Sequence, residues 1–284
     1  MTQLNLIEDR PCDTLIILIG TEVGKCAGAY LRLAAGLDLP TDESSRVTIL
    51  HFDHSPPEDD GQIEPVDRRL LGISLPVGNT IVARFPDSGT IEELEARGRL
   101  RHIPPELLRN PGVAREQLGT GSHPRTGVLV AEASLEQFKK RLATALRNTR
   151  AYTREWARIR RGEGRQQRGE QVLIYAVFSS VGGMEGAVPV LLTAIHEVAG
   201  ELGVGVRLVC VPLGLGTIQP PNPQQARLNQ DRIFSYLLAN ATGELCDPFF
   251  RSSPSRRGSP LFDSLVVLTN NNSHGEIDSL AALR

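Results

Sequence analysis

Residues 14–20 read Thr14-Leu-Ile-Ile-Leu-Ile-Gly20, and this stretch decides the fold. A wholly apolar, β-branched run that stops at glycine suits a strand buried on both faces, as in a parallel sheet. It leads into Gly24-Lys-Cys-Ala-Gly-Ala-Tyr-Leu-Arg-Leu-Ala-Ala-Gly36, which has helical character with small residues at its start. The same pattern returns downstream. Val172-Leu-Ile-Tyr-Ala-Val-Phe178 reads as a strand, Ser179-Ser-Val-Gly-Gly-Met-Glu-Gly186 as a turn, and residues 187–202 as a helix. Residues 46–52 and 206–212 add two further strands, and Phe262–Leu268 a last one. A sixth region of strand pattern lies near 80–85, followed by a short helix near 90–97. Strands alternating with helices predict an α/β fold: a mainly parallel sheet with helices on both faces and right-handed crossovers.

Between these units, 54–66 reads as an acidic, proline-containing loop and the Gly-, Pro- and Arg-rich stretch up to Gly127 as another loop. Residues 134–160 carry a long helical pattern, with Leu135, Phe138, Leu142, Leu146 and Trp156 near helical spacing and a break available at 148–154. A helix is expected from about Gln224 to Ala241.

Composition narrows the function classes. The chain has 284 residues, 40% apolar and 23% charged, enough to bury a sizeable core. Its net charge of -2 supplies no field toward nucleic acid or an anionic membrane. Apolar stretches are strand-length, short of the ~20 residues that a bilayer demands, so no membrane insertion is expected. The four cysteines, Cys12, Cys26, Cys210 and Cys246, have no metal or redox spacing. A reducing, cytoplasmic setting follows. The arginines between Arg150 and Arg168 read as the solvated face of a helix end and linker. With only Tyr152 and Trp156 among them, no base-stacking platform for nucleic acid is expected.

Ligands on parallel α/β sheets sit at the carboxyl ends of the strands, and three such ends stand out. Gly20-Thr-Glu-Val-Gly-Lys-Cys-Ala-Gly28 joins the first strand to a helix. Glycine there lets backbone approach a phosphate, and the helix start offers free amides. Lys25 lacks the glycine spacing and following hydroxyl of a Walker loop, and the dinucleotide fingerprint is missing too; a plain tight turn is the competing reading. The second is Gly182-Gly-Met-Glu-Gly186, again between strand and helix, so that a phosphate chain could lie between the two turns. The third is Asn270-Asn-Asn272, whose amides suit a purine edge or simply a turn. Ser179 and Ser180 lack the Gly-x-Ser-x-Gly context of a hydrolase elbow, Cys26 reads as packing, and His196 as a satisfied helix residue.

Taken in order, these motifs resemble the tubulin/FtsZ superfamily, in its divergent bacterial tubulin-like branch. Gly20, Thr21, Glu22, Gly24 and Lys25 fall where that family has its first nucleotide loop, and Asp53 ends the second strand. Residues 119–127 resemble the stretch leading into the family's long helix. Gly182, Gly183, Met184, Glu185 and Gly186 take the place of its GGGTGSG signature. Asn229 and Asn270 take the place of its base-facing asparagines. The resemblance implies a Rossmann-like GTPase-type domain over residues 1–284 without the family's second domain. It also implies GTP or GDP as ligand and protein partners or self-assembly; a Mg²⁺ ion could bridge one of the turn's carboxylates to phosphate.

Met184 and Glu185 depart from the signature. A carboxylate facing a polyphosphate at ~4 Å is repelled by about 4 kcal/mol at an intermediate dielectric, and the thioether adds bulk where backbone should approach. Glu22 adds a second acid. The expectation is a degenerate nucleotide site in a pseudo-GTPase: a regulatory, assembly or scaffold component with absent or very slow hydrolysis. Two alternatives stay open. One is a working, self-assembling GTPase; the other is a Rossmann-type NAD enzyme, in which Asp53 would be the ribose-binding acid.

Overall fold

The computed structural model describes residues 14–20, 23, 47–54, 80–83, 85–99, 124–149, 154, 158, 161–162, 171–214, 223–242, 260–267, 271–272 and 275–276. Its strands are β1 (Thr14–Ile19), β2 (Val47–His54), β3 (Thr80–Ala83), β4 (Val172–Ser179), β5 (Val206–Leu213) and β6 (Ser264–Leu265). They form one sheet in the order β3-β2-β1-β4-β5-β6, and every neighbouring pair is parallel. This α/β arrangement is the one the sequence predicts. The order is that of doubly wound nucleotide-binding folds, and it reverses between β1 and β4.

The helices are α1 (Ser88–Ala96), α2 (Pro124–Ala133), α3 (Leu135–Arg147), α4 (Val188–Leu202) and α5 (Pro223–Ala241). Helix α3 buries Leu135, Phe138, Leu142, Ala145 and Leu146, the helical stripe seen in the sequence. Phe138 meets Phe52 of β2 edge to face, with centroids 5.8 Å apart. Leu15, Ile17 and Ile19 of β1 and Ile174, Ala176 and Phe178 of β4 join this main cluster, with α4 packed over it. The other face of β1 is also closed, since Leu18 and Ile49 bury with Val23 in a second cluster. That double burial is why β1 carries no polar residue after Thr14. Helix α4 has proline in its first turn and stops at Gly203 in the left-handed conformation. No described helix is long and apolar enough to cross a membrane.

Four boundaries differ from expectation. Strand β2 continues to His54, one residue beyond Asp53. The stretch expected as loop through Gly127 is helical from Pro124. Of the helical pattern expected over 134–160, α3 takes Leu135–Arg147 and ends at the Asn148 cap, at the break available in the sequence, its N–H meeting the carbonyls of Thr144, Ala145 and Leu146; a separate helix, α2, precedes it and is divided from it at Ser134. Among the described residues the last strand is registered on β5 through Ser264 and Leu265, with the Asp263 and Val266 amides donating to Leu208 O and Cys210 O. Leu261 and Phe262 turn into the core instead, while Leu265, Val266 and Val267 are exposed.

Candidate functional site

The reversal point of the strand order sets the site. Ile19 of β1 stands in register with Phe178 of β4, so Gly20 and Ser179 emerge side by side at the carboxyl edge of the sheet. The two glycine-containing turns singled out in the sequence therefore start from adjacent central strands.

Gly20 has φ +99°, a region that L side chains rarely adopt. Strand β2 holds it from both sides. Its N–H donates to Phe52 O at 2.8 Å, and His51 Nε2 donates to its carbonyl at 3.2 Å. A carbonyl only accepts, so His51 carries its proton on Nε2. By the same reasoning His54 carries a proton on Nδ1, which donates to Ala83 O at 2.9 Å. Asp53 is buried between them. It accepts from the His54 amide at 2.8 Å, and its other oxygen lies 3.9 Å from His51 Nε2. His51 and His54 play no part in the sequence reading; the alternation His51-Phe-Asp-His54, polar side chains inside a strand that should be buried, was the available signal.

Beyond β4 the backbone is tied down before the turn begins. Ser180 donates through both N–H and Oγ to Leu213 O, at 3.0 and 2.8 Å, stitching the end of β4 to that of β5. Ser179 Oγ accepts from Val181 N at 3.2 Å. Both hydroxyls are thereby engaged in shaping the turn. Gly182 is extended and caps a single 3-10 turn over Gly183–Ala187, which runs into α4. Helix α2 presses against this turn so closely that a Cβ on Gly127 would lie 2.3 Å from Gly183 O and 3.2 Å from Ala187 N. Only glycine fits there, which explains a glycine inside a helix.

Met184 lies beside Gly20, where the first turn begins. A Cβ on Gly20 would lie 3.4 Å from Met184 Cβ and 3.6 Å from its Cγ, and Met184 is itself buried. Cβ and Cγ of Met184 thus lie against Gly20. Glu185, expected to face a phosphate, is instead 2% exposed, and among the described residues neither carboxylate oxygen meets a hydrogen-bond donor. Desolvation pushes its pKa up to about 9, against the opposing pull of the Arg232 guanidinium. At neutral pH Glu185 is an uncharged acid, and the expected charge repulsion toward an anion is replaced by steric filling. Asn229 is fully buried on α5, one turn before the exposed Arg232 on the helix that packs against the 3-10 turn.

Thr21, Glu22, Gly24, Lys25 and Asn270 lie outside the described residues, as do Cys26 and most of the 150–168 arginine run. Asn271 and Asn272 form β7 (Asn271–Asn272), paired antiparallel with β8 (Gly275–Glu276), so the asparagines read as a turn are in fact strand residues of a small hairpin. His196 donates from Nε2 to Leu261 O at 2.6 Å, while its Nδ1 is buried. Cys210 is a buried free thiol whose pKa burial pushes up, the signature of packing rather than reactivity. Among the described residues no three His, Cys, Asp or Glu side chains gather into a metal site.

The sequence matches no protein-family profile and no curated protein. In structure the chain is similar to CetZ2 from Haloferax volcanii, described as a GTPγS-bound protofilament, with a TM-score of 0.40 and 15% identity. The match covers 93% of this chain and 52% of that one, so this chain spans about half the length of the structure it resembles.

Proposed function

We propose that this chain is a tubulin/FtsZ-like protein with a degenerate guanine-nucleotide site, acting in the cytoplasm as a regulatory, assembly or scaffold component with GTP hydrolysis absent or very slow. One observation carries the reading: at the point where the strand order reverses, Met184 packs on Gly20. Nucleotides of doubly wound folds are held at that point by backbone approach to the phosphates. Here a side chain fills the approach, and the neighbouring Glu185 is buried in the same turn. A phosphate reaching the Gly20 backbone would first have to unseat Met184. The Ser180 hydroxyl already donates to Leu213 O, and the Ser179 hydroxyl oxygen accepts from Val181 N, so both are drawn into the turn's own hydrogen bonding. Partners are then proteins, or a second copy of the chain.

Calorimetric titration with GTP, GDP, ATP and NAD tests this on the wild type and on Met184→Ala. The expected outcome is no heat, or millimolar affinity, in the wild type and a gain of at least tenfold for GDP or GTP in the variant. Micromolar wild-type binding of GTP that is lost in Asn229→Ala, with turnover well above a Met184/Glu185 double variant, would overturn the proposal in favour of a working GTPase. The strand order is shared with dinucleotide folds, so NAD belongs in the titration. Asp53, the ribose-binding acid of that alternative, is buried and accepts from the His54 amide.

A further inference from the structure

We infer that Glu185 and Arg232 form a proton-operated latch: the neutral, buried acid keeps Met184 seated on Gly20, and the ionised acid pairs with Arg232 and lifts Met184 away. The functional meaning of the opened site rests on the nucleotide-site reading above; the movement itself requires no nucleotide.

Three features place the latch here. First, Glu185 has both oxygens buried without a donor among the described residues, although buried polar groups almost always have one. Such an orphan is costly in either charge state, and far more so once ionised, so the present arrangement holds only while the proton stays on. Second, Arg232 stands exposed on α5, the helix that packs against the 3-10 turn, and its positive charge opposes the desolvation of Glu185. Guanidinium keeps its charge at every accessible pH and presents a fork of donors matched to a carboxylate. Ionisation therefore creates a partner for Glu185 outside its present burial. Third, Met184 and Glu185 are consecutive in a five-residue 3-10 turn that has no side-chain cap. Gly127 comes close to both ends of the turn, at Gly183 O and Ala187 N, so a swing of Glu185 toward α5 is taken up between them, where Met184 is its direct neighbour.

The other ionisable side chains described on the surrounding elements are committed elsewhere or solvated. Glu132 of α2 pairs with Arg99, Glu197 of α4 pairs with Lys139, and His196 donates to Leu261 O. Arg227 and Asp231 of α5 are exposed, and Tyr175 of β4 is half-buried. With Glu185 titrating at about 9, roughly one molecule in a hundred is ionised at pH 7. A cation brought beside the turn by a binding partner acts as raised pH does, because both favour the carboxylate.

The chain contains two methionines, Met1 and Met184, which makes a direct test simple. With methyl-¹³C methionine, Met184 gives one of two resonances, assigned by its loss in Met184→Leu. Circular dichroism at each pH confirms that the helices persist. The expected result is a Met184 shift between pH 7 and 10 in the wild type, absent in Glu185→Gln and moved to higher pH in Arg232→Gln. A Met184 resonance that stays still in the folded wild type, or titrates unchanged in Glu185→Gln, overturns the latch. Should Glu185→Gln fail to fold, an unchanged midpoint in Arg232→Gln overturns it alone. Absence of nucleotide heat leaves this titration intact, so the latch and the nucleotide reading fail separately.

Discussion

Replacing Glu185 with glutamine should stabilise this protein, by an amount that grows with pH. The carboxyl has an ordinary pKa of 4.5 when solvated and about 9 in the folded chain. Between those values the folded protein holds a proton that the unfolded chain has released. Unfolding therefore gives up a proton, and rising pH favours the unfolded state by about 1.4 kcal/mol per pH unit. The stability associated with the protonated acid is fully present below pH 4.5 and is lost progressively toward pH 9. At pH 7 the penalty has reached about 3 kcal/mol. Glutamine has nearly the same shape and no proton to lose, so it removes that penalty, offset by about 1 kcal/mol for the unmet amide donor it adds. Urea unfolding followed by circular dichroism at pH 5, 6, 7 and 8 reads the difference directly. The variant should gain about 2 kcal/mol at pH 7, little or nothing at pH 5, and show a flatter pH dependence throughout. Wild-type and variant curves that run parallel across this range would refute a buried, neutral Glu185, and with it the account of the turn.

Two further substitutions probe the parts that hold the turn in place. Gly127→Ala puts a methyl 2.3 Å from Gly183 O, a backbone atom that no rotamer change can move; overpacking of this kind should cost about 3 kcal/mol, read as a lowered urea midpoint, and a neutral result would mean that α2 does not press on the turn. Asn240→Ala removes the side-chain oxygen that accepts from Leu261 N at 2.7 Å, leaving a buried donor unmet, so a loss of about 1–3 kcal/mol is expected in the same assay, together with increased hydrogen exchange at the Leu261 amide.

The central strands were legible because their chemistry is local. Runs such as 14–19 and 172–179 are apolar throughout, and no other element of that length buries both faces. The edges were less legible because tertiary partners decide them. His51 and His54 look like the end of a strand until Gly20 O and Ala83 O are seen to receive their protons. Gly127 and Pro124 look like a loop until the 2.3 Å approach to Gly183 O accounts for the glycine. In the last strand, Val266 and Val267 suggest a longer pairing than forms. Their side chains are exposed, and Leu261 and Phe262 supply the buried contacts. The candidate site was legible in position, since an α/β alternation puts the ends of β1 and β4 together. It was not legible in mechanism, because the charge state of Glu185 depends on burial that no local pattern reports.

That difference changes why the site should bind anions poorly. An exposed carboxylate beside a phosphate turn would act by repulsion, and salt would weaken its effect. A buried, uncharged acid exerts no such force, and a methionine packed on Gly20 acts by occupying volume. Full burial of a methionine side chain contributes about 1.5–3 kcal/mol, which a phosphate must forfeit on displacing it. At about 1.4 kcal/mol per tenfold in affinity, the seat of Met184 alone weakens binding roughly ten- to hundredfold. That weakening should persist unchanged as ionic strength rises. Salt dependence therefore separates the two causes: if anion binding by the wild type improves toward that of Met184→Ala in high salt, repulsion governs the site and the occupancy of Gly20 by Met184 does not.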